Sequence, residues 1–422
     1  MKHTIIYCLI AISLFIGSAR AEVTESAGMD NSAVNGNDST ALKTNDGDRT
    51  LHRLEFSLRG AYVLPTSIML KGGNAYGKRT DAAYAAAAEY AFTFPRSTRY
   101  GKLYPYAYQG AGISVNGFSS NKITGTPVNI YVLQGSRIAS FTDRLSLDYE
   151  WNFGLSAGWK KVTGRDVSDI YSLDGFGSHF NAYIDLGFKL NYILTDHFSL
   201  TAGVNLSHYS NGNTDYPNPG INVLWGKIGL VWHPGSLTHS AHYDWGDYER
   251  HVSYDITAYG AWRKYTFNSM IHIPDSEPDM NVIPGHFGLA GLNLNPLWHF
   301  NPILSAGASL DFQYDEGANL NPYYVESSSS SDPKFFRQPF THRLTAGLSA
   351  RVELQMPVFC VNIGIGHSLY APGGQDLRGW YQTFTLKTFI THNLYLSTGY
   401  RLVRFKRPGN LMLGIGWRFN AR

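Results

Sequence analysis

Two cysteines in 422 residues, Cys8 and Cys360, leave little scope for disulfides. Cys8 falls in a stretch that reads as a cleaved export signal, residues 1–21: Lys2, an apolar run from Ile5 to Ile16 and the small-residue ending Ala19-Arg20-Ala21. Without that stretch Cys360 has no partner in its own chain, so an exported protein must be held together by something other than disulfides. After residue 21 no apolar run reaches the length of a spanning helix. Net charge is equally slight, +3 over the whole chain, which argues against a nucleic-acid footprint. Large apolar groups are nearly missing from 22–50 as well; that segment cannot offset the entropy of ordering and is expected to be a flexible polar lead-in.

What is abundant is glycine and aromatic side chains, 43 Gly, 28 Tyr and 23 Phe. That composition without long apolar runs suits many strands, each showing one face to grease. Periodicity gives the class. Leu145, Leu147, Tyr149, Trp151, Phe153 and Leu155 alternate with Ser146, Asp148, Glu150, Asn152 and Gly154, a period of two kept over a membrane width. The same pattern recurs from Ala182 to Tyr192 and from Leu411 to Phe419. Soluble sandwich strands average about five or six residues, and these run to about a dozen with aromatics at their ends. Short joints, Thr195-Asp196, Met356-Pro357 and Thr391-His392, alternate with long ones, as periplasmic turns and external loops do. The expected fold is an all-β, antiparallel transmembrane β-barrel of about sixteen strands.

The chain also repeats. Tyr192 to Gly203 aligns without gaps on Thr388 to Gly399, and Pro219 to Gly229 resembles Pro408 to Gly416. Two related units of about eight strands are expected, 51–233 and 249–422, joined by 234–248. One large barrel and two small ones are both compatible with the pattern, since either removes free sheet edges.

One hairpin carries chemistry. Along Phe198, Leu200, Ala202, Val204 and Leu206 the even positions form a lipid-facing row, and His208 and Ser210 continue it. Phe198 to Ser210 spans about 40 Å of strand, or roughly 28 Å of membrane depth when tilted, which puts the pair at the outer rim. On the returning strand Asn222 shares parity with Leu224, Ile228, Leu230 and Trp232, close to His208 in simple register. Serine needs a base to become a nucleophile, and histidine needs a third group to hold its tautomer. These three residues could supply those parts.

The stretch His208-Tyr209-Ser210-Asn211, then Pro217, Asn218, Gly220 and Ile221, closely resembles the active-site hairpin of PagL-type lipid A 3-O-deacylases. These are outer-membrane barrels, acyloxyacyl hydrolase-like, that hydrolyse an ester-linked acyl chain from lipopolysaccharide. The resemblance implies Ser210 as nucleophile, His208 as general base, and Asn211, Gly212 and Asn218 near the oxyanion, with no cofactor and no metal. The glutamate that completes the family's triad falls on Asn222, whose amide can set a tautomer and cannot neutralise an imidazolium. Asp215, in the same loop, is either an ordinary turn residue or a substitute charge. The resemblance is most specific over about fifteen residues and looser over the first unit. The partners implied are lipid A and the outer membrane of a Gram-negative-type envelope, and no nucleic acid; a homo-oligomer is left open. A non-catalytic barrel, a pore or surface structural protein, is the competing class, and acyl transfer between lipids a third outcome.

Other motifs are weaker. Gly154 to Gly158 fits G-x-S-x-G, but a nucleophile elbow needs a strand-turn-helix context and Ser156 is expected mid-strand, facing the lumen. His233, His239 and His242 match no strong metal spacing. Asp275, Glu277 and Asp279 fall in an expected external loop, where they either share a divalent cation with lipopolysaccharide phosphates or, as the simpler reading, are plainly solvated. The gapless repeat puts Arg404 opposite His208 and Lys406 opposite Ser210, so the second unit lacks the chemistry and offers two cations on the parity of Leu394, Leu396 and Leu402. They either contact lipid A phosphates or snorkel at a strand end.

Overall fold

A computed structural model of the chain describes residues 49–422 apart from 75, 162–174, 236–247, 269–279, 324–333, 374–376, 406 and 422. The expected export signal, nearly all of the polar lead-in, and His239, His242, Asp275, Glu277, Asp279 and Lys406 lie outside the described residues.

Alternation decides which way each side chain points. In β1 (Leu51–Val63), Glu55, Ser57 and Arg59 are buried, while Phe56 and Leu58 are 63% and 72% exposed. Polar groups inside and grease outside is the reverse of a water-soluble core, and it suits lipid as the outer solvent. Among the described residues no helix is long and apolar enough to cross a membrane. The spanning elements are strands.

The first set comprises β1, β2 (Ala82–Thr93), β3 (Ala107–Phe118), β4 (Gly125–Ser140), β5 (Leu145–Trp159), β6 (Phe180–Ile193), β7 (Phe198–Ser210) and β8 (Ile221–Trp232). Each pairs antiparallel with the next, and β8 returns to β1 with Val223 opposite Val63. After β9 (His251–Arg263) come β10 (Thr266–Asn268) and β11 (Met280–Val282), a small two-stranded sheet. β12 (Phe287–His299) and β13 (Leu304–Asp315) precede a second small pair, β14 (Asn321–Tyr323) and β15 (Lys334–Phe336). Then follow β16 (Leu344–Gln355), β17 (Phe359–Tyr370), β18 (Trp380–Phe389), β19 (Leu394–Val403) and β20 (Arg407–Phe419). Strands β9, β12, β13 and β16 to β20 close on themselves through β20 and β9, with Leu413 opposite Gly260. The chain therefore builds two closed eight-stranded barrels, which resolves the choice the repeat left open. Closure removes every free edge from each barrel.

An eight-stranded barrel is just wide enough for side chains to fill. In the first, the Lys227 ammonium sits 3.0 Å from Glu55, 3.0 Å from Glu89 and 3.3 Å from Glu150. Lys189 reaches Glu55 at 3.0 Å and also pairs with Glu150, and Arg59 pairs with Glu89 at 2.8 Å. The three carboxylates approach one another closely enough to hold a cation, and the cation they share is the Lys227 ammonium. In the second barrel Arg418 makes two 2.8 Å bonds to Asp255, Lys387 meets Asp255 at 2.6 Å, and both cations also pair with Glu353. Such ion pairs are tolerable in a low-dielectric interior only when each charge is matched and hydrogen-bonded. Cys360, on β17, is free and buried.

Candidate active site

The outer end of β7 keeps its alternation to the last residue. Tyr209 is fully buried, whereas His208 and Ser210 on either side are half-buried and share the parity of exposed Val204 and Leu206. The inward tyrosine is what holds that register: its ring stacks on Tyr183 (5.3 Å between centroids) and meets Trp159 edge-on (5.0 Å). Its hydroxyl accepts a hydrogen bond from Asn129 Nδ2 at 3.2 Å. A one-residue slip would turn all of these side chains to the wrong face.

Across the hairpin, His208 pairs with Asn222 in simple register. The histidine Nδ1 lies 2.7 Å from the Asn222 amide oxygen. An amide oxygen only accepts, so Nδ1 carries the proton and Nε2 is left as the basic nitrogen. Gly220, at φ +59, brings the loop's return against the ring; a Cβ there would lie 3.5 Å from His208 Cε1. Hydrogen bonds to two carbonyls tie the start of β8 to the segment after β1: the Leu64 N–H donates to the Asn222 carbonyl at 2.9 Å, and the Thr66 hydroxyl to the Gly220 carbonyl at 3.3 Å. Ser210 is the last residue of β7, opposite Ala182 on β6.

The loop after the serine turns sharply, with Gly212 and Asn213 both at φ 64. The Asn211 N–H donates to Asn218 Oδ1 at 3.1 Å, so this amide is committed to shaping the loop rather than open to an oxyanion. The Asn211 side-chain amide, by contrast, is buried with no hydrogen-bond partner among the described residues. A buried amide left unpaired is a costly feature that calls for a reason, and a ligand oxygen would supply one. Asp215 does not act as a lone charge. It pairs with Lys264 at 3.1 Å and Lys161 at 3.6 Å. Burial pushes its carboxyl up, and the Lys264 hydrogen bond, the Tyr216 N–H and both lysine charges outweigh this and hold it below the usual aspartate value.

The weaker motifs resolve into structural roles. Ser156 is fully buried on β5 and accepts from the Trp159 indole N–H at 2.8 Å. His233 Nε2 lies 3.3 Å from Ser199 Oγ. The expectation for Arg404 needs correction. The gapless repeat carries its strand parity too far, because β19 ends at Val403, which already pairs with Arg407 on β20. Arg404 and Phe405 instead form a tight turn with φ of 53 and 61, and Arg404 Nη2 donates to the Arg378 carbonyl. Outward parity therefore does not extend to it. A register shift at Arg401/Leu402 marks where the second hairpin departs from the first.

Two family models match, one described as Lipid A 3-O-deacylase (PagL) over residues 146–231 and one as Acyloxyacyl hydrolase, C-terminal domain, over residues 252–421. Together they take in more than half of the chain, and the first spans the whole His208 to Asn222 hairpin. The chain carries PagL-type domains. Among solved structures, the outer membrane enzyme PagL is 15% identical, with 42% of this chain and 97% of that one covered and a TM-score of 0.28. The siderophore receptor PirA from Pseudomonas aeruginosa is 10% identical over 88% of this chain and 81% of its own, TM-score 0.23. The Ralstonia pickettii toluene transporter TbuX is 12% identical over 89% and 90%, TM-score 0.18. Likenesses at these scores bear on neither fold nor function. No curated protein matches the sequence significantly. The PagL-type hairpin thus carries His208, Ser210 and Asn222 on one outward face, and around it lie residues that no local pattern announces: Leu64, Thr66, Lys161 and Lys264.

Proposed function

We propose that this outer-membrane barrel removes an ester-linked acyl chain from lipid A, with Ser210 as nucleophile and His208 as general base. The observation that carries the reading is the 2.7 Å bond from His208 Nδ1 to Asn222 Oδ1 on the lipid-facing side of the hairpin. It leaves Nε2 to take the proton from Ser210 Oγ as that oxygen attacks the ester carbonyl. The tetrahedral intermediate collapses with cleavage of the ester C–O bond, and His208 returns the proton to the departing alkoxide oxygen. Water, activated by the same imidazole, then attacks the acyl-serine and releases the fatty acid. The unpaired Asn211 amide is the side-chain donor best suited to the oxyanion, in place of the Asn211 N–H that Asn218 already occupies. Gly212 and Asn218 act by shaping that turn. Asn222 sets the tautomer and supplies no charge, so the rate is expected to be limited by an imidazolium that lacks a counter-ion.

The test is an incubation of detergent-solubilised protein with lipid A, followed by mass spectrometry. Loss of one acyl group with appearance of free fatty acid, abolished by Ser210→Ala, is the expected result. An acylated acceptor lipid without free acid would mean acyl transfer. Identical lipid profiles with wild type and Ser210→Ala would leave a non-catalytic barrel.

A further inference from the structure

The catalytic loop has an unusual allegiance. Two compact units partition the chain, and their division does not follow chain order: residues 211–218 group with 248–422. Within that unit the loop is gripped by residues far away in sequence. The Lys264 backbone N–H donates to the Asn213 carbonyl at 2.9 Å, and the Lys264 ammonium lies 3.1 Å from Asp215 Oδ1. The Asn213 side-chain amide donates to the Tyr400 hydroxyl at 3.3 Å. From there the bonds run inward. Asn213 Oδ1 accepts from Asn218 Nδ2 at 3.1 Å, and Asn218 Oδ1 accepts from the Asn211 N–H at 3.1 Å. The relay from Tyr400 therefore ends on the residue bonded to Ser210. Gly212 is packed too, since a Cβ there would sit 3.4 Å from Leu411 and 3.6 Å from the Tyr400 ring.

A loop holding two consecutive residues at positive φ has no strand pairing to define it, and fixing each residue costs about 1–2 kcal/mol of backbone entropy. Among the contacts that offset this cost are those of Lys264, Tyr400 and Leu411. Resting on the deacylase reading, we infer that Lys264 and Tyr400 are positioning residues for the reaction: the sequence around the second barrel, which has no nucleophile–base pair at the equivalent hairpin, serves to hold the turn that carries Asn211. This gives the second repeat a task that needs no chemistry of its own. It also explains the Asp215 carboxylate, which is engaged by Lys264 as an anchor and is not a substitute for the missing triad charge.

The experiment measures kcat and KM for lipid A deacylation by full-length wild type, Lys264→Ala, Tyr400→Phe and the charge exchange Asp215→Lys with Lys264→Asp, alongside amide hydrogen exchange of residues 211–218. Expected is a fall in kcat of roughly ten- to a hundredfold for Lys264→Ala, since small misplacements at a reacting centre cost that much, with KM within about twofold and faster exchange in the loop. Tyr400→Phe should lose less, and the charge exchange should recover most of the kcat lost by Lys264→Ala. A purely structural role would lower the folded fraction and leave kcat per folded molecule unchanged, which overturns the inference. So would unchanged kcat and unchanged exchange in both single variants of an active enzyme. A wild type no more active than Ser210→Ala would instead overturn the deacylase reading, and this inference with it.

Discussion

At residue 222 an amide stands where the family's triad has a carboxylate, and the geometry around it is otherwise that of a base held by its partner. His208 Nδ1 is 2.7 Å from Asn222 Oδ1, so orientation is intact and only charge is missing. Removing the charge from the third member of such a triad can cost on the order of 10⁴ in rate when it also spoils the tautomer. Here the tautomer is preserved, so Asn222→Glu should raise kcat for deacylation by at least about tenfold. Mass-spectrometric initial rates check it, and a lower or equal rate in a folded variant removes Asn222 from the proposed triad. The side chains of this site are legible in the amino-acid sequence because parity is strict: once Leu200 to Leu206 define a lipid face, His208 and Ser210 have no freedom to point elsewhere. The role of Asn211 is only half legible there. The family resemblance puts Asn211 near the oxyanion without saying which of its groups serves, and the structure spends its N–H on Asn218 and leaves the side chain without a partner among the described residues.

At the level of the hairpin, the tyrosine between the proposed base and nucleophile acts by facing the other way. Tyr209 is buried against Tyr183 and Trp159, with Asn129 donating to its hydroxyl. Tyr209→Phe should cost about 1 kcal/mol through the lost hydrogen bond, and Tyr209→Ala about 3–5 kcal/mol through the cavity. Denaturant unfolding in detergent reads both; equal stabilities would mean that the aromatic stack does not anchor the strand. The matching hairpin of β19 and β20 shows where repeat logic fails. Its residues align with the first copy, yet its turn closes at Arg404 and Phe405, so that Val403 already pairs with Arg407. Loop length, which alignment without gaps cannot register, decides the matter. Lys264 and Tyr400 are illegible for a different reason: they meet Asn213 and Asp215 across long sequence separations, and no period or motif links such partners.

For the molecule as a whole, the decisive property is that each barrel is a closed ring of eight strands, and that the first is filled with matched charge. The sequence announces strands, membrane and a barrel, but not where the rings close, since pairing between β8 and β1 or between β20 and β9 leaves no trace in periodicity. Lys227 is the keystone of the first lumen, shared among Glu55, Glu89 and Glu150. Lys227→Met should destabilise the protein by about 3–5 kcal/mol, because it strands buried carboxylates without their cation. Heat-modified mobility on cold gels and unfolding in detergent both test it; a variant as stable as wild type would show that Lys189 and Arg59 suffice.

His208, Ser210 and Asn222 sit on the outside of a barrel whose inside is occupied. On the proposed reading, a substrate reaches them by drifting sideways within the outer leaflet, never by entering from water. The relevant concentration is the fraction of neighbouring lipids that carry the scissile ester, and turnover becomes an encounter in two dimensions. The freed acyl chain starts its life already dissolved in the bilayer.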